Sequence, residues 1–338
     1  NAGSKGAQAV RQLQAQTRFA LTGTPLENGV GELWSIFNFV LPGYLLSYSA
    51  FLRRYQDGTD AEDLRRRISP FLMRRLKKEV LTELPDKIES VFTAQMSPEQ
   101  AKVYEATMMR LRQRVDSIVK EKGFERGRTE VLAAITQLRE ICCHPSLVLD
   151  DYTGTSGKLD MLLDMLPEAI AKGRRVLLFS AFTSMLKILR RELDDAGYET
   201  MYLDGDTPAQ RRVEMAEQFN AGQGQIFLIS LKAGGTGLNL TGADMVIHYD
   251  PWWNPAAEDQ ATDRAYRIGQ TRKVEVIRLV THASIEEQVV ALGQRKKALF
   301  DQLIKPGESM VGGLSPQEIM SLFPVSYTHL RAHETKAN

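Results

Sequence analysis

Between Glu258 and Gln270 the chain reads EDQATDRAYRIGQ, a spacing suited to holding an anion. Taken as a helix, the segment sets Gln260, Arg264 and Arg267 at i, i+4 and i+7 along one stripe. Ala257, Ala261, Ala265 and Ile268 then form a small apolar stripe that would pack on a sheet. Asn254 and Pro255 supply an N-cap and a first-turn proline, and Gly269 supplies the stop, so the spacing predicts a helix over 255–268. Two guanidiniums on one face await an anion. A solvated basic face is the plainer alternative.

These residues must be positioned by a larger frame. A chain of 338 residues can hold two domains with their own cores. With 43% hydrophobic and 25% charged residues and a net charge of +1, overall charge says nothing about nucleic acid. No apolar run approaches a membrane span and no secretory signal opens the chain, and the adjacent Cys142 and Cys143 cannot make a disulfide framework. A reducing cytoplasm is the expected location, without membrane contact. The chain opens at Asn1 without Met and reads as a piece of something longer.

Residues 4–16 suggest a short polar helix, and Arg18 to Gly23 a buried strand whose sheet is expected outside this chain. From about 26 to 155 the pattern is helical: Leu33, Ile36, Phe37 and Val40 keep helical spacing, Ser97-Pro98-Glu99-Gln100 forms a capping box, and 129–143 is halted at Pro145. After about 157, strands at 176–180, 200–203, 225–230, 245–250 and 274–281 alternate with helices at 183–196, 208–221 and 255–268. That alternation predicts an α/β fold with a doubly wound parallel sheet, which binds ligands beyond the carboxyl ends of its strands. Gly234-Gly235-Thr236-Gly237 follows one such end, and Ser284 caps a final basic helix reaching about Ile304.

Three strings combine into one signal: LTGTPLEN at 21–28, ISLKAGGTGLNL at 229–240 followed by DPWWNP at 250–255, and QATDRAYRIGQ at 260–270. In this order they resemble the third, fifth and sixth motifs of superfamily-two helicases, specifically the Swi/Snf-type DNA-dependent ATPases. LLFSAF at 177–182 and DGDTPAQRR at 204–212 resemble that family's fourth-motif region, and the resemblance covers nearly everything from 1 to about 323. The resemblance implies a two-lobe motor with RecA-like sheets and ATP bound between them. It divides the chain into the end of a first lobe (1–25), a helical protrusion or linker (26–155), the second lobe (156–283) and brace-like helices (284–325). The last thirteen residues, SYTHLRAHETKAN, fit no element and resemble a vector-derived read-through peptide; His329 and His333 are set aside with them.

By the same resemblance, Arg264 and Arg267 are arginine fingers or phosphate sensors, and Gln260 orients water or holds one Arg. Arginine suits the task because its planar fork pairs with phosphate bidentately. Gly235, Thr236 and Gly237, with Asp263, are implied at the nucleotide, the glycines allowing close backbone approach. Thr22, Gly23 and Thr24 match the family's coupling element, as do Trp252 and Trp253, for which packing and base stacking both stay open. DNA contacts are implied for Lys232, Asn239 and Ser180, with Lys232 equally readable as a solvated lysine. Arg74 and Arg75 belong to the basic stretch 65–78, either a solvated face or a backbone contact.

Cys142-Cys143-His144 cannot supply a tetrahedral zinc set, and no metal site is expected within the chain. His248 reads as a satisfied core histidine, and Gly157-Lys158 as a helix start capped by Ser156 rather than a phosphate loop. No Walker A string and no Asp-Glu-x-His box occur in the chain; in the family's order both would precede Asn1. ATP with Mg2+ is the implied cofactor, its magnesium ligands expected in the first lobe, and this chain alone is expected to be inactive. Double-stranded DNA is the implied partner, with nucleoprotein or RNA polymerase complexes as further targets, and the compact protrusions favour a prokaryotic source and a nucleoid setting. Two alternatives are a DEAD-box RNA helicase, whose sixth motif the stretch DRAYRIGQTR does not follow, and a non-catalytic nucleic-acid-binding scaffold.

Overall fold

Val176–Ser180 and Ile226–Ser230 are short apolar runs without alternation, the pattern of strands covered on both faces. In the computed structural model, which describes residues 5–22, 30–55, 60–73, 84–233 and 237–304, and of 124, 125 and 295–304 the backbone only, both are fully buried strands. They belong to a six-stranded sheet: β1 (Lys87–Ala94), β2 (Val176–Ser180), β3 (Thr200–Leu203), β4 (Ile226–Ser230), β5 (Met245–His248) and β6 (Val274–Thr281). The spatial order is β1-β6-β5-β2-β4-β3, and every pairing is parallel. From β2 the chain builds β4 and β3 on one side and β5 and β6 on the other. The loops leaving β2, β4 and β5 therefore meet at a switch in winding direction, where such sheets hold ligands.

Alternate residues of each strand feed opposite cores. Val176 and Leu178 join Leu159, Leu162 and Leu166 of α7 (Gly157–Ala171) and Met185, Leu186 and Leu189 of α8 (Thr183–Asp195). Leu177 and Phe179 join Met215 and Phe219 of α9 (Ala209–Asn220) and Ala261 of α10 (Pro255–Thr262). Before the sheet, α5 (Pro98–Lys122) and α6 (Phe124–Cys143) form a hairpin. Ser97 caps α5 through the Gln100 amide, Gly123 turns the chain at φ 74°, and the Gln100 side chain donates to the Ile141 and Cys142 carbonyls at the far end of α6. Ser156 caps α7 as expected, and the bare Cα of Gly157 is required because a Cβ there would sit 1.6 Å from the Gln95 carbonyl oxygen.

A second compact unit comprises helices α1 (Lys5–Arg11), α2 (Val30–Val40), α3 (Tyr48–Tyr55) and α4 (Ala61–Ile68). Its core is Val30, Leu33, Trp34, Phe37, Phe51, Tyr55 and Leu64. Asp63 pairs with Arg54, Arg66 and Arg67, so part of the basic stretch is neutralised locally.

Two expectations need correction. The strand expected over 18–23 is not formed in its described part, 18–22: Phe19 and Leu21 are exposed, Leu21 fully, and no described strand pairs with them. The region 26–155 is not wholly helical, because Lys87–Ala94 pairs along its whole length with β6. Ser69–Phe71 forms a 3-10 turn after α4, and 74–83, with Arg74 and Arg75, lies outside the described residues.

Lys158 is fully buried, its Nζ donating to Glu286 Oε1 at 2.6 Å and to the Tyr249 carbonyl at 3.0 Å. Glu286 Oε2 accepts from the Thr281 amide, so this pair ties α7 to the start of α11 (Ile285–Ile304) and to the end of β6. Removing one member of a buried pair leaves an uncompensated charge, which costs about 3–5 kcal/mol. Lys158→Met is therefore expected to lower unfolding free energy by about that amount in urea denaturation, and adding Glu286→Gln to recover most of it. A single variant no less stable than the double would refute this account.

Candidate functional site

The helix predicted over 255–268 is real only to Thr262. It starts as expected, with Asn254 Oδ1 accepting from the Ala256 amide. Beyond Thr262 the carbonyls that would continue it are diverted: Arg264 O accepts from the Leu240 amide, and Ala265 O accepts from the Gln270 side chain. Tight i to i+3 bonds, Arg264 to Ala261 and Ala265 to Thr262, carry the chain into a turn that closes at Gly269, φ 99°. Gln270 holds this turn through three bonds, its Nε2 donating to the carbonyls of Thr241, Ala243 and Ala265. The stripe of Gln260, Arg264 and Arg267 is accordingly broken, and Ile268, expected on the packed side, is 69% exposed.

The two arginines end at different depths. Arg264 is 5% exposed, with its guanidinium 5.7 Å from the centre of the Phe179 ring. Its Nη1 is buried and has no hydrogen-bond partner among the described residues. Burial lowers its pKa to about 10, so it remains a cation at neutral pH. A buried N–H of a cation left unpaired is unfavourable unless an anion meets it. Arg267 is exposed, and its Nη1 donates to the Gly237 carbonyl at 3.3 Å. Gly237 itself has φ 44°, a left-handed backbone that favours glycine. Gln260 is exposed on α10 and Asp263 is half-buried beside Arg264. The structure thus joins Arg267 to Gly237 and leaves Arg264 under Phe179; Gly235 and Thr236 lie outside the described residues, as do Gly23 and Thr24, while Thr22 is described and exposed.

At the neighbouring strand ends, Ser180 is buried, donating to Asp250 Oδ1 at 2.5 Å and accepting from the Phe182 amide. Its hydroxyl serves the interior, which removes it from the expected DNA contacts. Lys232 is exposed, 5.8 Å from the Trp252 ring, and Asn239 is exposed with its carbonyl accepting from Asn220 Nδ2. Trp252 and Trp253 are half-buried and lie 4.8 Å apart. Sequence reasoning passed over Asp250, Glu258 and Gln270; an aspartate directly after an apolar strand and before Pro251 was the available cue. Cys142 and Cys143 are buried, and burial raises both thiols.

A parallel sheet with cations and glycine-bearing loops gathered at its carboxyl ends defines a RecA-like lobe. A model of the SNF2-related domain matches residues 1–147, and one of the helicase conserved C-terminal domain matches 157–269. The chain belongs to the Swi/Snf family of helicase-like ATPases. It is 39% identical to a putative ATP-dependent helicase/translocase, YwqA, of Bacillus subtilis, over 97% of this chain and 37% of that protein. It is 35% identical to the SWI/SNF-related matrix-associated actin-dependent regulator of chromatin subfamily A member 1 of Homo sapiens, over 98% of this chain and 34% of that protein. The Sulfolobus solfataricus SWI2/SNF2 ATPase core in complex with dsDNA is 36% identical with a TM-score of 0.58, the match covering 96% of this chain and 70% of that one. The chain spans about a third of the length of these curated relatives.

His248, at the end of β5, stacks on Phe179 and shares a 2.9 Å hydrogen bond with Thr262 Oγ1. Burial, aided by Arg278, pushes its pKa down to about 3 from an ordinary 6.5. A depressed folded-state pKa means the unfolded chain binds the proton first, so stability falls as pH drops below about 6.5 and keeps falling towards 3. Between pH 7.5 and 5, His248 is expected to account for about 2 kcal/mol of lost stability. Urea denaturation of His248→Gln at the two pH values should show a loss smaller by that amount, and an identical loss would contradict the assignment.

Proposed function

We propose that this chain supplies the second half of the ATPase site in a double-stranded-DNA translocase of the Swi/Snf type. Arg264 and Arg267 act there as arginine fingers on the γ-phosphate. The observation that carries this is Arg264: a buried cation whose Nη1 lacks a partner among the described residues, beside the carboxyl ends of a RecA-like sheet. ATP is the fuel and Mg2+ its companion ion, with the Mg2+ ligands, the phosphate loop and the general base on the first lobe. Asp263, Gly235, Thr236 and Gly237 lie by the nucleotide, and Gln260 orients water. Thr22, Gly23, Thr24, Trp252 and Trp253 couple hydrolysis to movement. Lys232, Asn239, Arg74 and Arg75 face duplex DNA, an assignment supported by the likeness to an ATPase core in complex with dsDNA. The second lobe takes in the sheet up to residue 283, with β1 included, and residues 284–325 are assigned to the family's C-terminal brace.

A positioned arginine finger is worth roughly 10³–10⁵ in phosphoryl-transfer rate, about 4–7 kcal/mol, because it balances charge on the transferring oxygens. In the intact protein, Arg264→Ala together with Arg267→Ala is expected to reduce ATP turnover by roughly 10³ or more. Turnover at the wild-type rate ends the proposal. Comparing stimulation by duplex DNA, single-stranded DNA and RNA separates the translocase from an RNA helicase, and no stimulation by any of them favours a scaffold. The 338 residues alone, lacking Walker A and Asp-Glu-x-His strings, are expected to show no ATP turnover.

A further inference from the structure

Arg139 sits near the end of α6, on a helix with no part in the nucleotide site, and is 1% exposed. Its Nη2 donates to Asp250 Oδ2 at 3.1 Å and to the Pro251 carbonyl at 2.8 Å. The same guanidinium lies 5.0 Å from the Trp252 ring, 5.2 Å from Trp253 and 5.1 Å from Phe182. Asp250 turns its other oxygen to the Ser180 hydroxyl and the Ala181 amide, at the end of β2. On the far side, the Trp252 amide donates to Glu258 Oε1 at 2.7 Å, and Arg278 Nε fixes Glu258 Oε2 at 2.8 Å. The indole pair thus lies against a cation from the helical hairpin, its backbone is fixed by a carboxylate from α10, and Lys232 approaches Trp252 in solvent. A guanidinium can stack on rings and donate in its own plane at once, which an ammonium cannot.

We propose that Arg139 is a positioning residue: it ties the α5–α6 hairpin to the loops after β2 and β5 and fixes the orientation of Trp252 and Trp253, so that these indoles and Lys232 meet nucleic acid in one arrangement. What the indoles meet rests on the translocase proposed above; that Arg139 holds them does not. A purely structural ion pair would be replaceable by any arrangement that keeps the fold, whereas a positioning role requires the fork itself.

Two variants separate these roles, both in a Trp34→Phe background so that only Trp252 and Trp253 report. Arg139→Lys keeps the charge and loses the planar fork. Arg139→Gln with Asp250→Asn removes both charges, so no buried charge is left unpaired to unfold the chain. In the 338-residue chain, both variants are expected to keep a cooperative thermal transition, change the near-ultraviolet circular dichroism of the indoles and increase their quenching by acrylamide. In the intact protein, both are expected to lower the ratio of duplex-stimulated to basal ATP turnover roughly tenfold, the scale of one charge-assisted hydrogen bond. Indole signals unchanged in a folded variant overturn the proposal, and so does an unchanged ratio alongside altered indoles. If the wild type shows no duplex stimulation, the translocase assignment fails, and the indole signals then decide by themselves whether Arg139 holds the pair.

Discussion

The three central strands, β2, β4 and β5, are buried along their whole length and leave polar chemistry to gather at their ends, a constraint that organises the sheet-bearing unit. The strand interiors carry apolar residues into two cores, so the first polar groups appear at the carboxyl ends: Ser180, Ser230, His248 and Asp250. Each buried polar group there has to be satisfied. Ser180 and Asp250 satisfy each other, His248 meets Thr262, and Asp250 also takes Arg139. The loops that follow are therefore anchored at their roots.

Against this background of satisfied charge, Arg264 stands out. Arg278 has Glu89 and Glu258, Arg139 has Asp250, and Lys158 has Glu286. Arg264 has a ring face and a buried, unpartnered Nη1 among the described residues. Among the described residues, the buried Arg139 and Lys158 each meet a carboxylate, and Arg264 meets none.

Much of the fold was legible because buried parallel strands read as unbroken apolar runs. Val176–Ser180, Thr200–Leu203 and Val274–Thr281 were readable to the residue, as were the caps Ser97 and Ser156. What escaped was decided at long range. Lys87–Ala94 is an edge strand with Ile88, Val91 and Phe92 exposed, so it lacks the apolar run that marks its neighbours. The end of α10 is set by the Leu240 amide and the Gln270 side chain, neither of which appears in a helical periodicity. Arg139 finds its carboxylate 111 positions later, so no local pattern could have paired them. At the site, the unequal burial of Arg264 and Arg267 was not legible, because it is set by the turn that replaces the end of the expected helix.

That inequality gives the two arginines different sensitivities to ions in solution. An exposed charge acts through water and is screened over about 8 Å at physiological ionic strength, whereas a desolvated one is shielded far less. Arg267, at the surface on the Gly237 carbonyl, belongs to the first kind and Arg264, under Phe179, to the second. Raising salt therefore weakens the pull of Arg267 on a dissolved anion before it weakens that of Arg264, a difference set within a span of four residues.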